Sequence, residues 1–272
     1  MATTSASPVG RLPIGARRRT EDLLCRIGAY RPARNAYQAL FNRQHWSARR
    51  RDRAFFGQFV SPGALVFDVG ANEGRVTETF AELGASVVAV EPNPSLARRV
   101  RRRYGSARVT VEAVAVGAQD GVGHLHLGRD NGHSTLSADW QGAIGAAAGA
   151  NRWEGSVEVP VTTLDALISR FGMPAFVKID VEGFEPAVLA GLHHPVPSLS
   201  FEFLCAAIDL ARRCVATIGD LGPYEFNVAL GERHELNDHA WMTAPVLLAE
   251  LEALRLSHPD SYGDVYARLV RT

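Results

Sequence analysis

The segment from Leu65 to Gly74 admits few structures other than a strand that ends in a tight turn. It reads Leu-Val-Phe-Asp-Val-Gly-Ala-Asn-Glu-Gly, an apolar run with one acid, Asp68, followed by glycines at positions 70 and 74. An amphipathic segment, Arg75 to Leu83, follows, and Gly84 is placed to cap its C-terminus. A strand, a glycine turn and a helix in this order are typical of half of a nucleotide-binding unit, because amides at the helix start face the ligand.

Strand-like and helix-like segments alternate through the rest of the chain, which predicts an α/β fold with a doubly wound, Rossmann-like sheet. The alternation breaks between about residues 121 and 172, where Val122–Leu127 and Ser156–Thr162 are expected to pair as an inserted β-hairpin within a lid. The predicted sheet strands are Leu65–Val69, Ser86–Val90, Val109–Val116, Ala175–Ile179, Leu199–Leu204, Tyr224–Leu230 and Asp264–Val270.

The N-terminal 60 residues differ from the remainder in charge. They hold twelve arginines against three acids, a balance of +9, so residues 61–272 carry −9 in a chain with no net charge. We interpret residues 1–60 as a basic, partly disordered, helical extension of a domain that spans residues 61–272. The extension either docks on its own acidic body or binds nucleic acid, anionic lipid or an acidic partner. Its apolar positions also allow a homodimer.

Composition narrows the cellular setting of the chain. No apolar run approaches the roughly 20 residues that a membrane-spanning helix needs. No apolar segment follows the N-terminus as in a secretory signal. Cys25, Cys205 and Cys214 have neither paired nor metal-ligand spacing. We therefore expect a cytoplasmic protein without a membrane span.

The turn at residues 70–74 argues against a dinucleotide cofactor. A pyrophosphate site requires Gly-x-Gly-x-x-Gly, but Asn72 stands where the second glycine would be. Asp68, two residues before the turn, would repel a pyrophosphate and suits a ligand with a positively charged amino group. S-adenosylmethionine has such an amine, a sulfonium and no phosphate.

The ends of the next two strands extend the predicted cofactor site. Glu91 closes the second strand, where a carboxylate can accept hydrogen bonds from both ribose hydroxyls. Ala113 and Val114, near the end of the third strand, are placed to form apolar walls for an adenine. The predicted cofactor residues, all at strand ends or in the turns after them, are Asp68, Gly70, Ala71, Asn72, Gly74, Glu91, Pro92, Asn93, Ala113, Val114 and Asp180.

The chain resembles class I S-adenosylmethionine-dependent methyltransferases, and among them the FkbM family. The resemblance covers about residues 55–270 and rests on blocks in the family's order, of which Lys-Ile-Asp-Val-Glu-Gly-Phe-Glu at 178–185 is the most specific. It implies a seven-stranded sheet with an antiparallel last strand. It also implies methylation of hydroxyl oxygens, in family members often on sugars, glycolipids or polyketides. The other blocks are Asp68–Gly74, Glu91-Pro92, Thr163–Asp165 and Ser200–Phe203, and Gly263–Val265 also fits.

Methylation of a hydroxyl requires a base that takes the proton or a metal that acidifies the alcohol. His133, in the inserted loop, is the candidate base, and a polar lid histidine without a catalytic role is the alternative. Lys178 is expected to pair with an acid or to steer the acceptor oxygen. Asp180 and Glu202 lie at adjacent strand ends and are candidate ligands of Mg²⁺; the alternative is that they hydrogen-bond helix N-termini. The candidate catalytic residues are His133, Lys178, Asp180 and Glu182.

These observations predict an S-adenosylmethionine-dependent O-methyltransferase that acts on a hydroxyl of a saccharide, glycolipid or polyketide-like acceptor. One alternative is a nucleic-acid methyltransferase that uses the basic arm. The acidic stretch at residues 180–183 repels phosphate and opposes this alternative. The other alternative is a scaffold that binds S-adenosylmethionine without turnover.

Overall fold

The structure is a computed structural model that describes residues 43–105, 107–128, 134–137, 153–231, 235–237 and 240–270. Helices and strands alternate along these ranges. The helices are α1 Arg43–Phe56, α2 Arg75–Glu82, α3 Pro94–Tyr104, α4 Leu164–Phe171, α5 Glu185–Leu189, α6 Ile208–Leu221 and α7 Ala244–Ser257. The strands are β1 Leu65–Val69, β2 Ser86–Val90, β3 Val109–Glu112, β4 Ala115–Val116, β5 Gly121–Gly128, β6 Trp153–Thr162, β7 Phe176–Ile179, β8 Ser198–Leu204, β9 Tyr224–Leu230 and β10 Tyr262–Leu269.

Seven of these strands form one sheet in the order β3-β2-β1-β7-β8-β10-β9. The neighbours from β3 to β8 pair in parallel, whereas β10 is antiparallel to both β8 and β9. The chain order reverses between β1 and β7, so the carboxyl ends of these strands border the crevice in which α/β sheets bind ligands. The predicted doubly wound sheet with an antiparallel last strand is confirmed.

Local sequence explains the boundaries of several helices. Asn93 caps α3, since its side-chain oxygen accepts the amide N–H of Ser95 at 3.0 Å, and Pro94 follows at the first helical position. Thr163 caps α4 in the same way through the amide of Ala166. Gly84 follows α2 with φ of +88°, as its position in the sequence predicts.

A second sheet of three strands contains the inserted hairpin. β5 and β6 pair antiparallel, as predicted, and β4 pairs in parallel with β6. The predicted third strand therefore divides into β3 and β4, which belong to different sheets. The division has a simple cause: β2 ends at Val90, opposite Glu112, so residues beyond Glu112 have no partner in the main sheet and pair with β6 instead.

Two hydrophobic layers enclose the main sheet. Residues of α4, α5, α6 and α7 pack on one face, and residues of α1, α2 and α3 pack on the other. The second layer contains a cluster of aromatic rings, in which Phe56 lies 4.9 Å from Phe80 and Phe59 stacks on Tyr266 at 5.2 Å between ring centroids. Helix α1 lies within the basic extension and is part of this core. The predicted helices and the disorder before residue 43 lie outside the described residues. Among the described residues, no helix has the length and apolar character required to span a membrane.

Candidate functional site

The turn after β1 approaches the end of β7 closely. Gly70 has φ of +85°, and its amide and that of Ala71 both donate to the carbonyl oxygen of Val90 at 3.0 Å. A Cβ atom on Gly70 would lie 1.7 Å from the backbone oxygen of Asp180, so only glycine fits here. Gly74 has φ of +82°, and a Cβ there would lie 2.6 Å from the ring of Tyr104. The two glycines of the motif are therefore required by geometry.

Asn72 and Glu91 connect the turn to the end of β2. Asn72 adopts a left-handed conformation with φ of +50°, and its amide donates to Oε2 of Glu91 at 2.7 Å. Oε1 of Glu91 accepts the amide of Asn93 at 2.8 Å. Burial raises the pKa of Glu91 to about 7, although both amides favour the ionised form. The side-chain oxygen of Asn72 is buried and has no hydrogen-bond partner among the described residues.

Asp68 is buried between β1 and α2 and does not line the cleft that the turn borders. Its side chain is buried, and Oδ2 accepts the hydroxyl of Thr77 at 2.5 Å, which ties β1 to α2. Burial raises the pKa of Asp68, and the neighbouring charge of Lys178 opposes this shift. The expected contact between Asp68 and a cofactor amine stays a prediction, and what the structure shows is a role in holding the start of α2.

Lys178 is buried in the sheet and forms an ion pair with the next strand-end acid. Its Nζ donates to Oδ2 of Asp180 at 2.6 Å, as one of the two sequence-based alternatives predicted. Burial by itself would lower the pKa of this ammonium, but the charges of Asp180, Asp264 and Asp68 outweigh burial and raise it. A lysine held protonated in this way cannot take a proton from an alcohol. Its position suits it to orient Asp180.

Three carboxylates meet just beyond the end of β7 and in the last three residues of β8, where Glu202 lies inside the strand opposite Asp264 and not, as predicted, at its end. One oxygen from each of Asp180, Glu182 and Glu202 lies within 4.8 Å of the others. Burial and the charges of Asp180 and Glu182 raise the pKa of Glu202 well above its usual range. Oε2 of Glu202 is buried without a hydrogen-bond partner among the described residues. Glu182, one of the predicted catalytic residues, belongs to this cluster. The sequence indicates it by its place two residues after Asp180, just beyond a strand end.

A cleft joins the turn, Glu91 and the three carboxylates. The cleft is open to solvent and has both polar and apolar lining residues. Val114, a predicted adenine contact, lines it, whereas Ala113 packs in the core layer under α3. Leu125 of β5 supplies part of the wall, together with Ser134 and Leu136 on either side of Thr135, which bridges to β5. His133 lies outside the described residues. The remaining lining residues are Val69, Gly70, Asn72, Val90, Glu91, Pro92, Ala115, Val116, Asp180, Val181, Glu182, Phe184 and Glu202.

One buried carboxylate that was not among the predicted site residues supports the turn between β7 and α5. Glu185, at the start of α5, is 2% exposed, and its Oε1 accepts the amides of Val181 at 3.0 Å and Gly183 at 3.2 Å. Burial raises the pKa of Glu185 to about 7. Residues 181–183 form the turn that carries Glu182, so Glu185 supports the site without lining the cleft.

A seven-stranded, doubly wound sheet with a glycine turn after β1 and an acid after β2 defines a class I S-adenosylmethionine-dependent methyltransferase. The family described as methyltransferase FkbM domain matches residues 68–207. The chain belongs to this family, and the resemblance that the sequence motifs indicated is confirmed. Comparison with curated proteins found no match.

Solved structures of several methyltransferases are similar in fold. One is a precorrin-6y C5,15-methyltransferase from Geobacter metallireducens, with 13% identity over 81% of this chain and 87% of that chain and a TM-score of 0.41. An O-methyltransferase from Bacillus cereus in complex with SAH has 13% identity over 82% of this chain and 80% of that chain, with a TM-score of 0.43. An rRNA methylase from Streptococcus thermophilus has 10% identity over 80% of this chain and 94% of that chain, with a TM-score of 0.39.

Proposed function

We propose that this methyltransferase transfers the methyl group of S-adenosylmethionine to a hydroxyl oxygen of a saccharide, glycolipid or polyketide-like acceptor. The observation that carries the proposal is the position of Asp180, Glu182 and Glu202 at one end of the cleft that the cofactor turn borders. Carboxylates bind hydroxyl groups well and repel the phosphates of a nucleic acid, so a polyol suits this end best.

The other end of the cleft suits the adenosyl part of the cofactor. Glu91 lines it, and each of its oxygens accepts one backbone amide and retains a second acceptor position for a ribose hydroxyl. Val114 and Leu125 provide apolar surface for an adenine. The side-chain oxygen of Asn72, which has no hydrogen-bond partner among the described residues, is available to a polar group of the cofactor. Asp68 would act from behind the turn by holding α2 in place.

The carboxylates have two roles in this mechanism. S-adenosylmethionine would supply a methyl carbon on a sulfonium. The acceptor oxygen would attack this carbon in line as the carbon–sulfur bond breaks, S-adenosylhomocysteine would leave as the thioether, and the hydroxyl proton would pass to a base. Asp180, oriented by Lys178, and Glu182 would hold acceptor hydroxyls in position. The proton would pass to His133 or to a carboxylate of the cluster, since Lys178 is already protonated.

The same three carboxylates fit a hard divalent cation. Their oxygens lie within 4.8 Å of one another, and carboxylate oxygens are ligands that Mg²⁺ prefers. Burial and the charges of Asp180 and Glu182 raise the pKa of Glu202, and a cation bound among these carboxylates would oppose that shift. When bound, Mg²⁺ would acidify a coordinated hydroxyl, and Asp180, Glu182 and Glu202 would hold it.

A panel of acceptors tests the proposal. Purified protein is first titrated with S-adenosylmethionine and with NAD by calorimetry, and then incubated with radiolabelled S-adenosylmethionine and sugars, glycolipids, hydroxylated polyketides, RNA or DNA. Label in a methyl ether of a hydroxylated acceptor supports the proposal. Label only in nucleic acid, or at carbon or nitrogen, contradicts it. Binding without turnover on any acceptor would favour the scaffold alternative.

A further inference from the structure

The turn between β7 and α5 has an unusual backbone. Glu182 has φ of +53° and Gly183 has φ of +84°, so two consecutive residues are left-handed, and the first of them has a side chain. A non-glycine residue adopts this conformation only where its surroundings impose it. The turn carries the carboxylate of Glu182 and follows directly on Asp180. The contacts that impose its shape therefore also fix two of the three carboxylates of the cluster.

The first of these contacts is made by the carboxylate of Glu185. A single oxygen of Glu185 accepts the amides of Val181 and Gly183, which flank Glu182 on both sides. The Glu185 side chain is almost fully buried, and it approaches no cofactor or acceptor position along the cleft, because it is absent from the lining residues among those described. Without this acceptor, two amides of the turn lose their partner, and the left-handed pair loses the contacts that maintain it.

The second contact comes from the second sheet. The hydroxyl of Thr135 donates to the carbonyl oxygen of Glu182 at 2.7 Å and accepts the amide of Ser137 at 2.9 Å. Thr135 is 1% exposed and exchanges two backbone hydrogen bonds with His126 on β5, at 2.9 and 3.1 Å. The segment that bears Thr135 is thus bonded to β5, and its side chain holds the carbonyl group of Glu182, whereas Glu185 holds the amides on both sides of Glu182.

We propose that Glu185 and Thr135 are positioning residues, which together hold the turn at residues 181–184 so that Asp180 and Glu182 face the acceptor. The catalytic part of this inference rests on the proposed hydroxyl methylation, whereas the part about the backbone does not. Neither residue touches the reacting atoms. Their effect reaches the site through the main chain of the turn, at Val181, Glu182 and Gly183.

Paired substitutions at each position test the inference. Glu185→Gln keeps an oxygen that can accept both amides, whereas Glu185→Leu removes it. Thr135→Ser keeps the hydroxyl, and Thr135→Val removes it without changing the shape. Thr217→Val is the matched control, since the Thr217 hydroxyl also donates to a carbonyl oxygen, that of Arg213, on an exposed surface far along the chain. Far-ultraviolet circular dichroism confirms that each variant folds.

Hydrogen exchange at the amides of residues 181–183 is the readout that needs no acceptor. Glu185→Leu and Thr135→Val should speed exchange there about tenfold, the effect of losing about one hydrogen bond. Glu185→Gln, Thr135→Ser and Thr217→Val should leave it within about twofold. The inference is overturned if the amides of residues 181–183 exchange at the same rate in Glu185→Leu, Thr135→Val and the wild type. Should Glu185→Leu fail to fold, Thr135→Val with Thr135→Ser decides the result alone.

Kinetics with an accepted hydroxyl substrate test the catalytic part. We expect kcat to fall about tenfold in Glu185→Leu and Thr135→Val, with a cofactor Kd within about threefold of wild type, because the turn at Gly70–Gly74 is left intact. The Gln and Ser variants should recover kcat. A fall in kcat that is equal in Glu185→Leu and Glu185→Gln overturns the positioning role. Absence of any hydroxyl substrate for the wild type would count against the proposed function, and the exchange result would still decide the inference.

Discussion

Gly70 is the position in the cofactor turn where one added methyl group has the largest expected effect. Its φ of +85° costs an alanine about 1–2 kcal/mol. The added Cβ would also lie 1.7 Å from the carbonyl oxygen of Asp180, whereas ordinary contacts begin at 3.4 Å. Relief of this overlap requires movement of the backbone, and overpacking costs a further ~1–3 kcal/mol. We expect Gly70→Ala to lower the free energy of unfolding by about 2–5 kcal/mol.

The effect should appear in cofactor binding as well, because the backbone at Asp180 must move away from the turn. We expect the Kd for S-adenosylmethionine to rise at least about tenfold, which corresponds to about 1.4 kcal/mol, the lower part of the overpacking range. Isothermal calorimetry measures the Kd, and urea unfolding followed by circular dichroism measures stability.

Gly63→Ala is the matched control for this experiment. Gly63 has φ of +83°, and no described atom lies within 4 Å of a Cβ placed there. Gly63→Ala should therefore lose only the ~1–2 kcal/mol of backbone strain and bind the cofactor as the wild type does. Equal losses of stability in the two variants, with normal cofactor binding by Gly70→Ala, would refute the idea that the approach of Gly70 to Asp180 shapes the site.

Three further predictions concern the pH dependence of binding, the core and the cation. Because the pKa of Glu91 is raised to about 7 and ribose hydroxyls bind its ionised form, cofactor affinity should be constant above pH 7 and fall as pH decreases, by up to about tenfold per unit. Calorimetry at several pH values measures this, and Glu91→Gln should remove the dependence. Phe56→Ala, at a fully buried ring, should cost about 3–5 kcal/mol in urea unfolding, and Val246→Ala, at a side chain 49% exposed, should change stability by less than about 0.5 kcal/mol. If Asp180, Glu182 and Glu202 hold Mg²⁺, EDTA should stop methyl transfer and Mg²⁺ restore it; full activity in the chelator would exclude the cation.

Short-range sequence patterns, such as apolar runs and helix caps, predicted most of the fold. Strands such as Leu65–Val69 are buried on both faces and read as apolar runs, and caps such as Asn93 and Gly84 act within one turn of their own helix. The order of these elements is enough to indicate a doubly wound sheet. The division of the third strand was not predictable in this way, since it depends on where β2 ends and on a partner, β6, about 45 residues later in the chain.

The site was predicted less completely, because its side chains act through contacts across the chain. The sequence identifies Glu91, Asp180 and Glu202 by predicted places at strand ends, and all three line the cleft, although Glu202 lies within β8. It does not reveal that Asp68 faces Thr77 behind the turn. The bond between Thr135 and Glu182 joins residues 47 positions apart. A contact of this kind follows from how the second sheet packs on the first, which local periodicity does not encode.

The charges of the site favour a cationic cofactor independently of any family likeness. Burial and neighbouring carboxylates raise the pKa of Glu202, and the surrounding aspartates raise that of Lys178. Burial is the largest cause of the pKa shift at Glu202, and neighbouring carboxylates add to it; at Lys178 the carboxylates outweigh burial, so both groups lie among several negative charges. A pyrophosphate would add to this negative charge, and the arginines beside the turn are already paired with acids, Arg75 with Asp52 and Arg99 with Glu73. A sulfonium and an ammonium reduce this negative charge, so the electrostatic energy that disfavours a dinucleotide here contributes to the binding of S-adenosylmethionine.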